Sequence, residues 1–294
     1  MACSAAPAAA THQFPETGLV LLSLKDGAQR AAAAVGSDVV AVIVSDDGKM
    51  AYLADSAPGD VYSVRLPELK VAWKHHVGGA PFGLLLHGGR LLVSLFSGAL
   101  VVELDPSSGA QLATHNVHDG PAVLAVGPDG RVVVAGTRGE VEYLDGTSTP
   151  AGNGFAVAVV NGRIWTDDYE RAELVPVSDD HRVGLPLPVF PFWLAPGAGN
   201  TLLVAAEGAP EDTAAGGVFS FDTVTGSFTV LATPKDPDLV AQSGSTIFVA
   251  AHGDRDVLMI ESGQATAWAR GAAVVALAPD PALGYLVVAV NAHE

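Results

Sequence analysis

Cysteine is almost absent from this sequence of 294 residues. Cys3 is the one cysteine, so no disulfide can form within the chain. Basic residues are scarce too, with 15 Lys and Arg against 32 Asp and Glu and a formal net charge of −17. Nucleic-acid binding needs clustered basic side chains, so this balance argues against a nucleic-acid partner. It also disfavours anionic lipid head groups and favours neutral or cationic ligands.

Long hydrophobic runs are also missing. Apolar segments such as "VVAVIV" (39–44) fall far short of the roughly 18 residues that would span a membrane, so we expect no transmembrane segment. No basic region followed by a long apolar core marks a cleavable signal.

The N-terminal sequence "MACSAAPAAATHQFPETG" resembles the mature start of a bacterial lipoprotein, in which a cysteine carries the lipid and a flexible tether follows. That interpretation predicts a lipid anchor at Cys3 and an extracytoplasmic location, either periplasmic or at the cell surface. The alternative is a disordered cytosolic N-terminus that happens to contain a cysteine. Both interpretations predict a flexible tether over residues 1–16.

Glycine and proline, by contrast, are plentiful, and short apolar runs alternate with turns every 8–12 residues or so, which is typical of an all-β fold. One pattern recurs in these runs: a turn with glycine, often a basic residue, then a short apolar strand. It is clearest in "SDDGKMAYLAD" (45–55), "HGGRLLVSLF" (87–96) and "PDGRVVVAGT" (128–137). With four degenerate copies, the pattern occurs seven times, anchored at Gly48, Gly89, Gly130, Gly162, Gly199, Gly244 and Gly284. The interval of roughly 40 residues is the size of a four-stranded propeller blade.

The two ends of the chain predict how the ring closes. The seventh copy stops at Glu294 before it supplies a third strand, whereas "TGLVLLSLKDGAQRAAAAV" (17–35) reads as a third and an outer strand with no partners before them. Pairing these segments would complete the last blade and remove two exposed sheet edges. The sequence therefore predicts a single seven-bladed β-propeller over residues 17–294, with the N-terminal strands completing the last blade.

Residues 36–145 resemble the YVTN-type repeat propellers of bacterial exported proteins. "AYLAD" (51–55) is similar to the strand that gives the repeat its name. "VYSVRL" (61–66) and "VVELD" (101–105) are similar to the strand that follows the next loop of the repeat, and "VGGAPFGLLL" (77–86) is similar to the start of its next blade. The resemblance implies a propeller and an extracytoplasmic location. It implies no reaction, because similar rings carry binding proteins, scaffolds and enzymes.

Propellers commonly bind ligands at one mouth of the central channel, where each first strand begins and each second strand ends. The repeat places a mixed acidic and aromatic set at this mouth, in which the blade starts include Phe82, Phe192, Asp236 and Asp238. The predicted ligand-binding residues are Asp55, Phe96, Arg138, Asp167, Tyr169, Trp193, Glu207, His252 and His293.

Three interpretations of this set stay open. In the first, the mouth binds a small-molecule or protein ligand, with the acids favouring a cationic or polyhydroxylated one. In the second, a divalent metal ion is held by His252, His293, Glu207 and either Asp167 or Asp168, and the protein is a lactonase-like or esterase-like hydrolase. In the third, the residues are ordinary solvated loop residues of a scaffold protein. The sequence does not decide whether the chain is an enzyme.

Overall fold

The computed structural model describes residues 13–179, 181–209 and 214–292. These residues form 28 β-strands, and no helix occurs among them. Cys3, His293 and most of the predicted tether lie outside the described residues. Of the tether's last four residues, Gln13 exchanges two hydrogen bonds with the side chain of Gln29, and the carbonyl of Glu16 accepts one from the Ala292 amide.

Two strands, β1 (Thr17–Ser23) and β2 (Gln29–Ala34), precede the first complete blade. Blades I to III follow in chain order and contain β3 (Val39–Val44), β4 (Met50–Asp55), β5 (Asp60–Arg65), β6 (Lys70–His76), β7 (Pro81–His87), β8 (Arg90–Leu95), β9 (Leu100–Leu104), β10 (Gln111–Asn116), β11 (Pro121–Val126), β12 (Val132–Gly136), β13 (Glu140–Tyr143) and β14 (Ser148–Pro150).

The remaining blades continue the same order. Blades IV to VI contain β15 (Val157–Val160), β16 (Arg163–Asp168), β17 (Glu173–Pro176), β18 (Val183–Gly184), β19 (Phe190–Pro196), β20 (Thr201–Glu207), β21 (Gly217–Asp222), β22 (Ser227–Ala232), β23 (Pro237–Ser243), β24 (Thr246–Ala251), β25 (Asp256–Glu261) and β26 (Gln264–Arg270). Blade VII begins with β27 (Val274–Asp280) and β28 (Tyr285–Asn291).

The strands form seven antiparallel sheets of four strands, arranged as a β-propeller. The first strand of each blade is innermost, and each inner strand contacts the inner strands of the two neighbouring blades all the way round. The fold prediction is therefore confirmed, including the number of blades. The innermost strands surround a central channel, and the starts of these strands lie together at one end of it.

The predicted ring closure is confirmed as well. The strand order of blade VII is β2-β1-β28-β27, so the N-terminal strands supply its third and fourth positions. β1 pairs with β28 without a break from Thr17↔Asn291 to Ser23↔Tyr285. Every residue of β1 is buried. Because both chain ends share one sheet, closure removes two strand edges that would otherwise be open to pairing with another molecule.

The backbone conformation at the first turn of each blade explains why a glycine recurs there. All seven of the anchor glycines have φ between 59° and 82°, in the left-handed region that costs least for a residue without Cβ. Tight hairpin turns need such a residue at one position. This requirement explains why glycine is the most regular feature of repeats that are otherwise divergent.

Candidate binding site at the propeller mouth

The starts of the inner strands and the ends of the second strands enclose a pocket of about 290 Å³ at one mouth of the channel. Residues from blades I, II, V, VI and VII line it. They are Val40, Phe82, Phe192, Trp193, Glu207, Asp236, Asp238, Leu239, His252 and Val275. Aromatic and acidic side chains face the same small volume. The aromatic rings belong to a wall that extends beyond the pocket, and the acids form a second wall.

The aromatic wall is a chain of six partly exposed rings from blades II, IV and V: Phe82, Phe96, Phe155, Tyr169, Phe190 and Phe192. Phe155 is at its centre. The centroid of its ring lies 6.3 Å from that of Phe96, 5.8 Å from that of Tyr169 and 5.5 Å from that of Phe192. Phe82 extends the wall beyond Phe96 at 5.8 Å. These spacings are typical of aromatic pairs that stabilise one another, so the wall is a preformed apolar surface.

The acidic wall consists of Glu207, Asp236, Asp238 and His252. Asp236 and Asp238 flank the first residue of β23, and His252 follows the neighbouring strand β24. The His252 amide donates a 2.8 Å hydrogen bond to the Asp236 carbonyl, which holds the two segments together. His252 Nδ1 lies 3.3 Å from Asp236 Oδ2 and 3.9 Å from Asp238 Oδ2, and all three side chains are at least four-fifths buried.

A hydrogen bond joins the two walls. The Tyr169 hydroxyl donates to Glu207 Oε2 at 2.9 Å. The ring of Tyr169 stacks on Phe190 at 5.3 Å. Tyr169 therefore contacts Phe190 with its ring face and Glu207 with its hydroxyl, which fixes the position of one wall relative to the other.

Asp167 lies beneath the aromatic wall and is fully buried. Its carboxylate accepts hydrogen bonds from the amides of Phe155 (3.3 Å) and Ala156 (2.8 Å). Burial raises the pKa of Asp167 to about 7, against the lowering effect of these two amides. The loop before β15 passes so close to this carboxyl group that a Cβ on Gly154 would lie 2.2 Å from the carboxyl carbon of Asp167. Asp167 therefore positions Phe155, the central ring of the wall.

Asp55 has a similar structural role in blade I. It is almost fully buried, and its carboxylate accepts hydrogen bonds from the amides of Ser37 and Asp38. Arg138 takes a different position, exposed at the rim, where its guanidinium bonds to Asp119.

The structure gathers five of the nine predicted ligand-binding residues around the mouth. Phe96 and Tyr169 belong to the aromatic wall, Glu207 and His252 to the acidic wall, and Trp193 lines the pocket between them. Their part in ligand binding stays a prediction. The ninth residue, His293, lies outside the described residues.

The possible metal ligands that the structure brings together differ from the predicted set. Among the described residues, the group able to hold a metal ion is Asp236, Asp238 and His252, whose ligand atoms all lie within 4.8 Å of one another. The carboxylates beside His252 thus come from its own blade. Asp168, predicted as an alternative to Asp167, bonds instead to Arg171 (3.0 Å) and Arg182 (2.8 Å). Burial alone would raise the pKa of Asp168, but these hydrogen bonds outweigh it and lower the pKa.

Two members of the aromatic wall, Phe155 and Phe190, are not among the residues predicted from the repeat. Both stand where blades IV and V begin, in segments whose repeat pattern is degraded. The sequence does contain a pattern that marks these residues: "APF" (80–82), "NGF" (153–155) and "FPF" (190–192) all place phenylalanine at a blade start. Aligning the blade starts alone would have found it.

Below the mouth, the central channel contains a second cavity of about 500 Å³. Its lining side chains come from all seven inner strands, and all of them are apolar among the residues described. Trp193 and Leu239 line both cavities. The indole of Trp193 packs against three separate apolar clusters of the core, so it lies across the channel between the two cavities.

No known protein family matches this chain, and no curated protein matches it either. Solved structures of propeller proteins do. A streptogramin B lyase is 11% identical with a TM-score of 0.73, over 92% of this chain and 97% of that one. Hydrazine synthase from Kuenenia stuttgartiensis is 14% identical with a TM-score of 0.68, over 88% and 95%. BamB from Moraxella catarrhalis is 16% identical with a TM-score of 0.57, over 97% and 94%.

Identities this low show the fold alone. The neighbours are consistent with the YVTN-type resemblance of residues 36–145, since they share the propeller architecture. Within the described residues, no helix is long and apolar enough to cross a membrane.

Proposed function

We propose that this chain is a ligand-binding module whose site is the pocket between the aromatic and acidic walls. The observation that carries the proposal is the meeting of these two preformed walls in one pocket of about 290 Å³ at the channel mouth. Pockets that combine apolar and aromatic surface with a few convergent polar groups are the usual form of small-molecule sites. The ligand would be a small organic molecule, with an apolar part against the rings and a polar part against the acids.

The rigidity of the site supports binding. The side chains of the pocket stand on or beside strands that pair within four-stranded sheets, and Tyr169 links the walls through Glu207. A preformed site loses little conformational entropy when a ligand binds. Such a site needs no chemical step to be useful, so a binding module is the simplest function that fits it.

A second candidate, a metal-assisted hydrolase, rests on Asp236, Asp238 and His252. Three atoms within 4.8 Å of one another have a common point about 2.8 Å or less from each, and small side-chain movements would reach the roughly 2.3–2.6 Å of a calcium–oxygen bond. Two carboxylates and an imidazole form a donor set that divalent ions accept, so the residues fit a metal. A bound ion would polarise an ester or lactone carbonyl and activate water.

The binding proposal is tested by saturation-transfer NMR with three probes of suitable size: benzyltrimethylammonium, benzyl alcohol and myo-inositol. We expect at least one probe to bind the wild-type protein. Its signal should be lost in Phe192→Ala, which removes a ring from the pocket wall. It should persist in Val224→Ala, a change at an exposed apolar residue on the outer turn of blade V. The proposal fails if no probe binds, or if binding survives Phe192→Ala.

The hydrolase candidate makes a different prediction. Elemental analysis should find one divalent ion per chain, and a chelator should lower the melting temperature of the wild-type protein. The chelator should have no effect on Asp236→Ala, which removes a ligand. A metal-free protein whose melting is the same with and without chelator would exclude this candidate.

The proposed location is extracytoplasmic, with a lipid anchor at Cys3. Its support is the N-terminal sequence and the YVTN-type resemblance. Growth of the native host, expressing its own gene for this protein, with labelled palmitate tests it. The label should appear in the wild-type protein and be absent from Cys3→Ser, and an unlabelled wild-type protein would contradict the anchor.

A further inference from the structure

We infer that the ligand of the mouth is an organic cation, an amine or quaternary ammonium group carried on a small apolar or aromatic body. This inference rests on the proposed binding function and names the chemical class that the same pocket selects. Two alternatives suggested by the acidic composition, a polyhydroxylated ligand and a bare divalent ion, fit the pocket less well.

Charge is the first reason. The described residues that line the pocket include three acids, Glu207, Asp236 and Asp238, and no lysine or arginine. The three carboxylates are mostly buried, where the effective dielectric constant is below that of water and attraction to a cation is stronger. The net charge of −17 would also draw cations towards the protein and repel anions.

The aromatic rings are the second reason. Phe82, Phe192 and Trp193 line the same pocket as the acids. The face of an aromatic ring attracts a cation held within about 6 Å of its centroid, and cages of such rings are the usual means of recognising quaternary ammonium groups. An ammonium group placed between the walls would have carboxylates on one side and rings on the other. Each wall then contributes to binding the same charged group.

The third reason is a type of side chain that the pocket lacks. Among the described lining residues there is no serine, threonine, asparagine or glutamine, and six of the ten are aliphatic or aromatic. A polyhydroxylated ligand needs several directional donors and acceptors to replace its bonds to water. The acids could accept from a few hydroxyl groups, but the apolar lining would leave the other hydroxyls unsatisfied. A bare divalent ion would use Asp236, Asp238 and His252 and leave the aromatic wall without a role.

Isothermal titration calorimetry with a matched pair of probes tests the inference. Benzyltrimethylammonium carries the cation and the ring, and benzyl alcohol carries the ring without charge. We expect the cation to bind at least tenfold more tightly at low ionic strength, and its affinity to fall as salt screens the acidic wall. EDTA should leave its affinity unchanged, and millimolar CaCl₂ should compete by occupying the acids.

Two variants and a matched control assign the binding to the two walls. Asp238→Asn should lower the affinity for the cation on the order of tenfold, because it removes one carboxylate charge from the pocket. Phe192→Leu should weaken it severalfold, because it keeps an apolar side chain and removes the ring. The matched control is Asp46→Asn, which removes the same charge from an exposed turn at the opposite end of blade I and should leave the affinity unchanged. Circular dichroism checks that each variant folds, and Glu207→Gln replaces Asp238→Asn if that protein does not.

The outcomes separate the inference from the proposed function. Equal affinities for the two probes, or a cation affinity that neither acid variant lowers, would overturn the inference. If myo-inositol binds at the mouth and benzyltrimethylammonium does not, the binding function stands and the cation class is wrong. If none of the three probes binds the wild-type protein, both fail.

Discussion

The buried carboxyl group of Asp167 should make the stability of the protein depend on pH in a direction opposite to that of most acids. Burial raises its pKa to about 7 in the folded protein, whereas the ordinary value is 3.8. The folded state therefore holds this proton more tightly than the unfolded chain. The stabilisation is fully present below pH 4 or so, and it is lost as the pH rises through 7.

The magnitude follows from the size of the shift. The difference between a pKa of about 7 and the ordinary 3.8, at about 1.36 kcal/mol per pKa unit, amounts to roughly 4 kcal/mol of unfolding free energy. Other acids make stability depend on pH in the opposite direction. Hydrogen bonds from Ser45 and Thr147, their largest causes, lower the pKa values of Asp47 and Asp145 to about 2, so the stabilisation from these two acids is lost as the pH falls below 4 or so. The comparison must therefore be between the wild-type protein and a variant that differs at Asp167 alone.

Asp167→Asn supplies that comparison, since asparagine keeps an oxygen to accept from the Ala156 amide and does not titrate. Urea unfolding at pH 4.5, 6.0 and 8.0 gives the free energy of each protein. We expect the unfolding free energy of the variant to rise relative to that of the wild-type protein as the pH increases, by on the order of 3–4 kcal/mol between pH 4.5 and 8.0. Asp46→Asn, at an exposed position, should show no such trend. A difference between wild type and Asp167→Asn that does not change with pH would refute the reasoning.

Three further predictions concern the same part of the fold and its closure. Gly154→Ala should lower the unfolding free energy measured in urea by about 1–3 kcal/mol, because its Cβ would overlap the Asp167 carboxyl group. Adding Asp167→Ala to the same chain should restore part of this loss, and losses that simply add would contradict the overlap. Tyr169→Phe should lower the affinity for benzyltrimethylammonium severalfold in calorimetry, since it removes the hydroxyl that bonds to Glu207. An unchanged affinity would show that this hydrogen bond does not shape the pocket. A chain lacking residues 1–23 should aggregate in size-exclusion chromatography, because the edge of β28 loses its partner β1; a stable monomer would show that closure is not required.

The fold could be predicted from the sequence because the repeat encodes backbone requirements. A hairpin turn that needs a left-handed residue selects glycine whatever the neighbouring side chains are, so Gly48 and Gly284 remain visible in copies that share little else. The closure was visible for a related reason. A chain that begins with a third strand and ends with a second one has one simple way to pair its edges.

The site was harder to predict because it depends on where side chains point. Asp167 and Asp168 are adjacent and look equally suited to bind a ligand. The structure directs Asp167 to the backbone of its own blade and Asp168 to two arginines, one of which, Arg182, comes from a loop that the repeat does not describe. In the same way, the repeat places His252 at the mouth but gives no distance between it and the acids at the start of blade VI, Asp236 and Asp238. Such contacts depend on loop geometry, which a pattern of turns and strands does not specify.

The position of a bound cation is the most direct test of the central claim. Crystals of the protein soaked with benzyltrimethylammonium would show it. The account predicts the ammonium group in the mouth pocket, within about 6 Å of the rings of Phe192 and Trp193 and facing the carboxylates of Asp236 and Asp238. A cation bound elsewhere on the propeller, or a mouth pocket that holds no cation at a saturating concentration, would contradict it.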